Sequence, residues 1–331
     1  MTPTTGARRP AREVPPDPPS LVTTVGSVTL SNPVMTASGT AGHGAELAAY
    51  LDLSALGAVV VKSVSAAPWA GNPAPRMWPL PVGMLNSVGL QNGGVEHWLA
   101  CDLPALAACG ATVVASIWGN STSDYHAVAA ALAAAVRAGR APGVVAVEVN
   151  ISCPNVEDRR RMFAHSVEGV QEAVGAAASG LDGALPLWAK LSPNVTDLPA
   201  LAGAARAAGA EAVTLINTVM GLALDPLTGH PALGGGGGGL SGPAIHPIAV
   251  RAVYEVRAAW PDLPIVGVGG IGAGVDAAEI IAAGADAVQV GTASFAEPGA
   301  CRRVLAELAG WMSEHGITSM SALKGRGHDH N

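Results

Sequence analysis

From about residue 28 onward the chain repeats one pattern. A short apolar, often β-branched run comes first, then a polar or Gly-rich turn, then an Ala/Leu-rich stretch. Eight such runs stand out: Val34 to Ser38, Ala58 to Val64, Thr112 to Trp118, Val144 to Ser152, Leu185 to Ser192, Ala212 to Thr218, Ile265 to Ile271 and Ala287 to Thr292. The intervening stretches read as helices, among them Ser123 to Ala138, Ser166 to Ser179, Asp197 to Ala208, His246 to Ala259 and Gly274 to Ala283. Ser123, Ser166 and Asp197 stand where helix-capping residues are expected. A nearly continuous apolar run predicts a strand buried on both faces, and strands alternating with helices predict a parallel sheet. Eight of them predict an α/β fold of the closed (β/α)8 barrel type. An open doubly wound sheet would call for a GxGxxG after the first strand, and none is present. A hairpin is expected at Ser27 to Asn32, with long loops at the active-site end. The predicted division is a Pro-rich tail at 1–20, the barrel at 21–320 and a flexible tail at 321–331.

Composition narrows the class. The chain has 331 residues, 49% of them apolar and 13% charged, which excludes disorder for most of its length. Eighteen Lys+Arg against 25 Asp+Glu give a net charge of −7, which disfavours a basic nucleic-acid surface. The first 20 residues contain six prolines and both charge signs (RRPAREVPPDPP), so they read as a disordered tail and not as a membrane-anchoring helix. No uncharged apolar run is long enough to span a bilayer. The four cysteines, Cys101, Cys109, Cys153 and Cys301, are scattered with no CxxC. That argues against a metal site or a disulfide framework, and for a cytoplasmic protein with reduced thiols.

In such a barrel the chemistry gathers at the C-terminal ends of the strands. These ends read TASG, KS, NISCPN, KLSPN, INT, GGI and GT, polar endings on apolar runs. Gly269 and Gly270 follow strand seven, Gly291 and Thr292 follow strand eight, and Gly242 lies in an SGP turn. Gly-rich loops after the last two strands are the usual phosphate site of this barrel; the alternative is that they only form tight turns. The hexaglycine run Gly234 to Gly239 reads as a flexible insert. Lys62 and Lys190 end strands two and five. A flavin would suit them, because a fixed cation near N1 raises the ring's affinity for electrons; pairing with a buried carboxylate such as Glu148 is the alternative. Asn86, Asn150, Asn155 and Asn217 carry amides suited to a planar heterocycle with alternating donors and acceptors, although a lone Asn is commonly a turn residue. Cys153, just past strand four and stiffened by Pro154, could be a base, a nucleophile or a small buried residue.

EVNISCPNV, AKLSPNVTD, LINTVMG, LSGPAI, GVGGI, QVGTASF, NPVMTASGT, VVVKSVS, GNPAPR and GMLNSVGLQN together resemble the class 1 dihydroorotate dehydrogenases, from about Val28 to Met320. The resemblance implies an FMN-containing barrel that oxidises dihydroorotate to orotate in pyrimidine biosynthesis, with one FMN per chain. By motif, Cys153 would be the base for the C5 proton, hydride from C6 would pass to flavin N5, and Lys62 would sit between substrate and flavin. Substrate contacts would come from Lys62, Asn86, Ser87, Val88, Gly89, Leu90, Asn150, Asn155, Asn217 and Thr218. FMN would be held by Ala37, Ser38, Gly39, Lys62, Ser63, Ser116, Asn150, Lys190 and Ile216, its phosphate by Gly242, Gly269, Gly270, Gly291 and Thr292. No metal is implied. The loop from Cys153 to Ser166 would cover the substrate. Three features depart from the pattern: Ser116 where an Asn is usual, the basic run Arg159 to Arg161, and the N-terminal tail with the glycine run.

The rival within the fold is a dihydropyrimidine dehydrogenase subunit; Asn155 after the Cys-Pro pair and Lys62 for a carboxylate favour orotate. A catalytically idle barrel would not need Cys153, two lysines and the amides. The motifs are more similar to the NAD-linked subclass, which implies a homodimeric core and a partner subunit with FAD and a 2Fe–2S cluster, since this chain lacks a cysteine set for one. Passing electrons to fumarate without a partner is the alternative.

Overall fold

The computed structural model describes residues 18–152 and 163–329. The eight predicted strands are all present: β1 (Val34–Thr36), β2 (Val59–Val60), β3 (Val113–Ile117), β4 (Val144–Asn150), β5 (Leu187–Lys190), β6 (Ala212–Leu215), β7 (Ile265–Val268) and β8 (Ala287–Val290). They pair in parallel, in the order β1-β8-β7-β6-β5-β4-β3-β2. The last seam, between β1 and β2, is closed by a single bridge from Met35 to Ala58. There Thr36 replaces part of the ladder with its side chain: Oγ1 accepts from Val60 N at 2.9 Å and lies 3.2 Å from Val60 O. The result is a closed (β/α)8 barrel.

The helices that matter for the site are α1 (Leu103–Ala108), α2 (Thr122–Arg137), α3 (Val167–Leu181), α4 (Leu198–Ala207), α5 (His246–Ala259), α6 (Gly274–Ala282) and α7 (Ala300–Glu314). Ser166 and Asp197 cap α3 and α4 as expected. The cap of α2 is Ser121 and not Ser123: Ser121 accepts from Asp124 N, and the Asp124 carboxylate takes the N–H groups of Asn120 and Ser121. Both serines have the right chemistry. The Asp three residues after Ser121 completes a reciprocal box that Ser123 lacks.

The apolar core divides in two. The larger part lies between sheet and helices. The smaller part fills the bottom of the barrel with Met35, Val60, Val114, Ala146, Trp188, Ala212, Val266 and Ala287. A hairpin of Thr23–Val25 and Val28–Leu30 closes that end by adding Val25, Val28 and Leu30 to the same cluster. Its turn falls at Gly26, where φ is +59°, so the hairpin starts earlier than the expected Ser27.

Two expectations need correction. The glycine run is not a flexible insert. Gly238–Ser241 is a strand of an antiparallel sheet with Val219–Gly221, Gly83–Asn86 and Met77–Leu80. The glycines are there because neighbouring backbones and side chains occupy the space of their missing Cβ atoms: at Gly234 a Cβ would lie 2.5 Å from Ala74 O, and at Gly238 2.5 Å from Asn86 O. The segment after Met320 is likewise packed, up to residue 329. Leu323 is buried, Lys324 pairs with Asp286 at 2.8 Å, and His328 stacks on Tyr254 at 4.0 Å. At the other end Ser20 already bridges Ser319.

Candidate active site

The C-terminal ends of the strands surround a cavity of about 610 Å³. The antiparallel sheet described above forms part of its wall through Met77, Gly83, Met84, Asn86 and Ser241.

One side is glycine. Gly242, Gly269, Gly270, Gly291 and Thr292 all line the cavity, as the sequence predicts for a phosphate site. Gly242, Gly269 and Gly270 have φ of +97°, +145° and +67°, and a Cβ at Gly270 would meet Gly242 O at 2.9 Å. Three loops can therefore approach one another only as bare backbone. Among the described residues the N–H groups of Gly270, Gly291 and Thr292 find no protein acceptor. Behind them the His246 ring contacts Gly269 O at 3.0 Å and Glu279 at 3.1 Å, fixing the loop.

The floor is cationic. Lys190, at the end of β5, is almost fully buried and lines the cavity. Its Nζ is 3.8 Å from Glu148 Oε1, so the carboxylate named as its possible partner is its neighbour. Lys62 lines the same wall, and its backbone N–H donates to Gly42 O at 2.9 Å. Next to it, His43 is held below the ordinary imidazole range, first by burial and then by the Lys62 charge. Ala37, Ser38, Gly39 and Ile216 complete this side.

The far end is a network of amides and hydroxyls. Asn150 Nδ2 donates to Ser63 Oγ at 3.1 Å, while its Oδ1 accepts from Ser152 N at 3.3 Å and Asn217 Nδ2 at 3.4 Å. Asn217 Nδ2 also donates to Ser152 Oγ at 2.7 Å, and Thr218 N donates to Asn217 Oδ1 at 2.8 Å. Tyr125 donates to Asn150 O at 2.9 Å from α2. The network thus anchors Ser152, the residue before Cys153. Asn86 Nδ2 donates to Gly239 O at 3.3 Å.

Most expected residues meet at this cavity: Ala37, Ser38, Gly39, Lys62, Ser63, Asn86, Val88, Gly89, Leu90, Asn150, Lys190, Ile216, Asn217 and Thr218. Ser87 and Ser116 do not line it. Ser87 is buried and accepts from Asn72 Nδ2 at 2.9 Å, which pins the 86–90 loop from behind. Ser116 shares a hydrogen bond of 2.8 Å with Ser63 and so supports a lining residue. Cys153, Asn155 and the run Arg159 to Arg161 lie outside the described residues. Several lining residues escaped the sequence reading: Thr40, Met77, Met84, Ile245, Val268 and Phe295 among them. These are apolar or hydroxyl side chains with no chemical signature; only adjacency to the motifs GMLN and GTASF marked some of them.

These features suit a cofactor with a phosphate at one end and a planar ring at the other. The glycine loops offer unpaired N–H donors, the Lys190 ammonium makes no hydrogen bond among the described residues, and Glu148 Oε1 is buried without a hydrogen-bond partner. Fold and cavity together define a (β/α)8 barrel whose strand ends enclose a cavity walled by glycine loops, two lysines and an amide network. Comparison with known proteins makes the class specific. The family model described as dihydroorotate dehydrogenase matches residues 20–312. A catalytic subunit of dihydroorotate dehydrogenase B (NAD(+)) from Geobacter sp. strain M21 is 45% identical over 93% of this chain and 98% of its own. Proteins of the same name from Desulforudis audaxviator and Anoxybacillus flavithermus are 47% and 44% identical, over 92% and 90% of this chain and 96% and 93% of theirs. The chain belongs to the dihydroorotate dehydrogenase family of flavin-dependent oxidoreductases.

Proposed function

We propose that this chain oxidises (S)-dihydroorotate to orotate at a bound FMN, as the catalytic subunit of an NAD-linked enzyme. What carries the reading is one cavity that joins the phosphate-type glycine loops, Lys62, Lys190 and the Asn150–Asn217 amide network, in a chain so similar to relatives of that name.

Bound FMN supplies the acceptor for the hydride that leaves C6. The chain does the rest. Gly242, Gly269, Gly270, Gly291 and Thr292 would hold the phosphate, with Lys190 and Ser63 along the ring. Lys62 would pair with the substrate carboxylate and lie between substrate and ring. Asn86, Asn150, Asn155, Asn217 and Thr218 would read the alternating N–H and C=O groups of the pyrimidine, since an amide both donates and accepts. Cys153 would take the C5 proton. A thiol near its ordinary pKa of about 8.5 becomes a base as the thiolate forms, so flavin reduction is expected to speed up toward alkaline pH.

A homodimeric core fits this reading, as does an electron-transfer partner carrying FAD and a 2Fe–2S cluster, because the four scattered cysteines of this chain have no cluster-binding spacing. The test is anaerobic mixing of the purified chain with dihydroorotate and, separately, with dihydrouracil, watched at the visible flavin band. Bleaching by dihydroorotate alone is expected; bleaching by dihydrouracil alone would assign the chain to pyrimidine-base reduction instead. Recovery of colour with fumarate would remove the need for a partner. Cys153→Ala should still bind dihydroorotate while reducing the flavin far more slowly, by about 10²-fold or more for loss of a general base. Reduction at the parental rate would refute the role of Cys153.

A further inference from the structure

Among the described residues Glu148 is the one carboxylate built into the barrel interior beside the cavity. It is fully buried on β4. Its Oε2 accepts from Thr214 Oγ1 at 2.9 Å, from β6, and from Gln289 Nε2 at 2.7 Å, from β8. Its Oε1 accepts no hydrogen bond and lies 3.8 Å from Lys190 Nζ. A buried carboxylate must be compensated, and Lys190 is the cation at hand. Yet the two anchoring donors both grip Oε2, so the carboxylate is held short of bonding contact. The ammonium keeps its three donors for whatever occupies the cavity, while its charge is partly balanced from behind. On the cavity wall the titratable groups among the described residues are Lys190 and Lys62.

We propose that Glu148 is a positioning residue that tunes the flavin through Lys190: the Thr214 and Gln289 anchors set the distance at which the carboxylate offsets the lysine charge, and so set how strongly the site favours reduced over oxidised flavin. The inference rests on the functional reading above, in which Lys190 lies along the flavin ring. A carboxylate in full contact would quench the ammonium; one removed altogether would leave the cation unbalanced. The first case favours the oxidised ring and the second the reduced, more negative one.

Midpoint potentials of the FMN-loaded chain, measured at one fixed pH for every variant, test this. Glu148→Gln keeps the shape and removes the charge. It is expected to favour the reduced flavin about tenfold, a rise of about 30 mV for a two-electron couple. Thr214→Val keeps the charge and removes one anchor, so the carboxylate can close on Lys190 and the potential should fall. A merely structural disturbance would not reverse sign between the two. On a Lys190→Met background both shifts should collapse. Equal shifts with and without Lys190, or no shift in either variant, would overturn the inference. FMN released per chain is scored separately for every variant and tests the functional reading on its own. If Glu148→Gln does not fold, Thr214→Val alone decides by the direction of its shift.

Discussion

A Cβ on Gly239 would lie 1.9 Å from Thr218 Oγ1, and Gly239 O is the acceptor for Asn86 Nδ2. Two candidate substrate contacts therefore depend on a side chain that is absent. Gly239→Ala must push Thr218 aside or shift the strand, at a cost of about 1–3 kcal/mol of stability typical of overpacking. It should raise KM for dihydroorotate more than it lowers kcat, while FMN content stays unchanged. Gly229, whose Cβ would meet nothing within 4 Å, is the control, although its φ of +69° still carries a local cost. The cysteines separate by environment in the same way. Burial pushes the Cys301 thiol up to about 11, whereas Cys101 is exposed. A thiol-reactive chromogen at about pH 8 should modify Cys101 in the folded protein and reach Cys301 only after unfolding. At this scale the chemistry-bearing residues were legible because motifs such as KLSPN and GVGGI carry them. Met77, Ile245 and Phe295 were not, since an apolar side chain on a cavity wall looks like any other apolar side chain.

Among the elements, α2 shows a local rule deciding between two adjacent candidates. Ser121→Ala removes one half of the box with Asp124 and should lower stability by about 1 kcal/mol. Ser123→Ala, which leaves that box intact, should change it by less than about 0.5 kcal/mol. Chemical denaturation with matched m-values would compare them. The glycine run makes the opposite point. As a string it signals freedom, because glycine alone sets no conformation. In the fold its last two members, Gly238 and Gly239, open a strand, and the backbones of Pro73, Ala74 and Asn86 leave no room for a Cβ at Gly234 or Gly238. That neighbourhood is assembled from segments more than 140 residues apart in sequence, such as Asn86 and Gly239. No local pattern encodes it. The barrel strands, in contrast, announce themselves: each is largely apolar because helices cover one face and the barrel interior the other.

At the scale of the whole molecule, titration links the site to stability. Burial, and then the Lys62 charge, depress His43; burial depresses His165. A base whose folded pKa lies below its unfolded value binds fewer protons when folded, so stability falls as pH drops below about 6.5. Glu297 and Glu307 are also depressed, Glu297 chiefly by its hydrogen bonds to Arg303 and Glu307 by the Gly274 N–H and then Arg303. Their contribution is present above the unfolded carboxylate range and disappears as pH falls through the folded values. Tm should therefore decline in two stages on acidification, one below about pH 6.5 and one below about pH 4.5. His43→Phe should weaken the first stage; a first stage of full size in that variant would show that His43 has no part in it. No helix among the described residues is long and apolar enough to cross a membrane.

The sequence by itself determined the repeat of strand and helix, the count of eight, the cap residues of α3 and α4, and the family to which the chain belongs. Each of these is written in neighbouring residues, as periodicity or as an unbroken motif. Only the tertiary structure decided that Thr36 closes the barrel seam with its side chain, that Ser87 turns away from the cavity to Asn72, that the glycine run leads into a sheet strand, and that Glu148 stands 3.8 Å from Lys190 under two anchors. The physical reason is that closing the barrel brings together side chains from strands β1 to β8 and the sheet above them. Hydrogen-bond geometry and steric exclusion then act between residues that have no proximity in the chain.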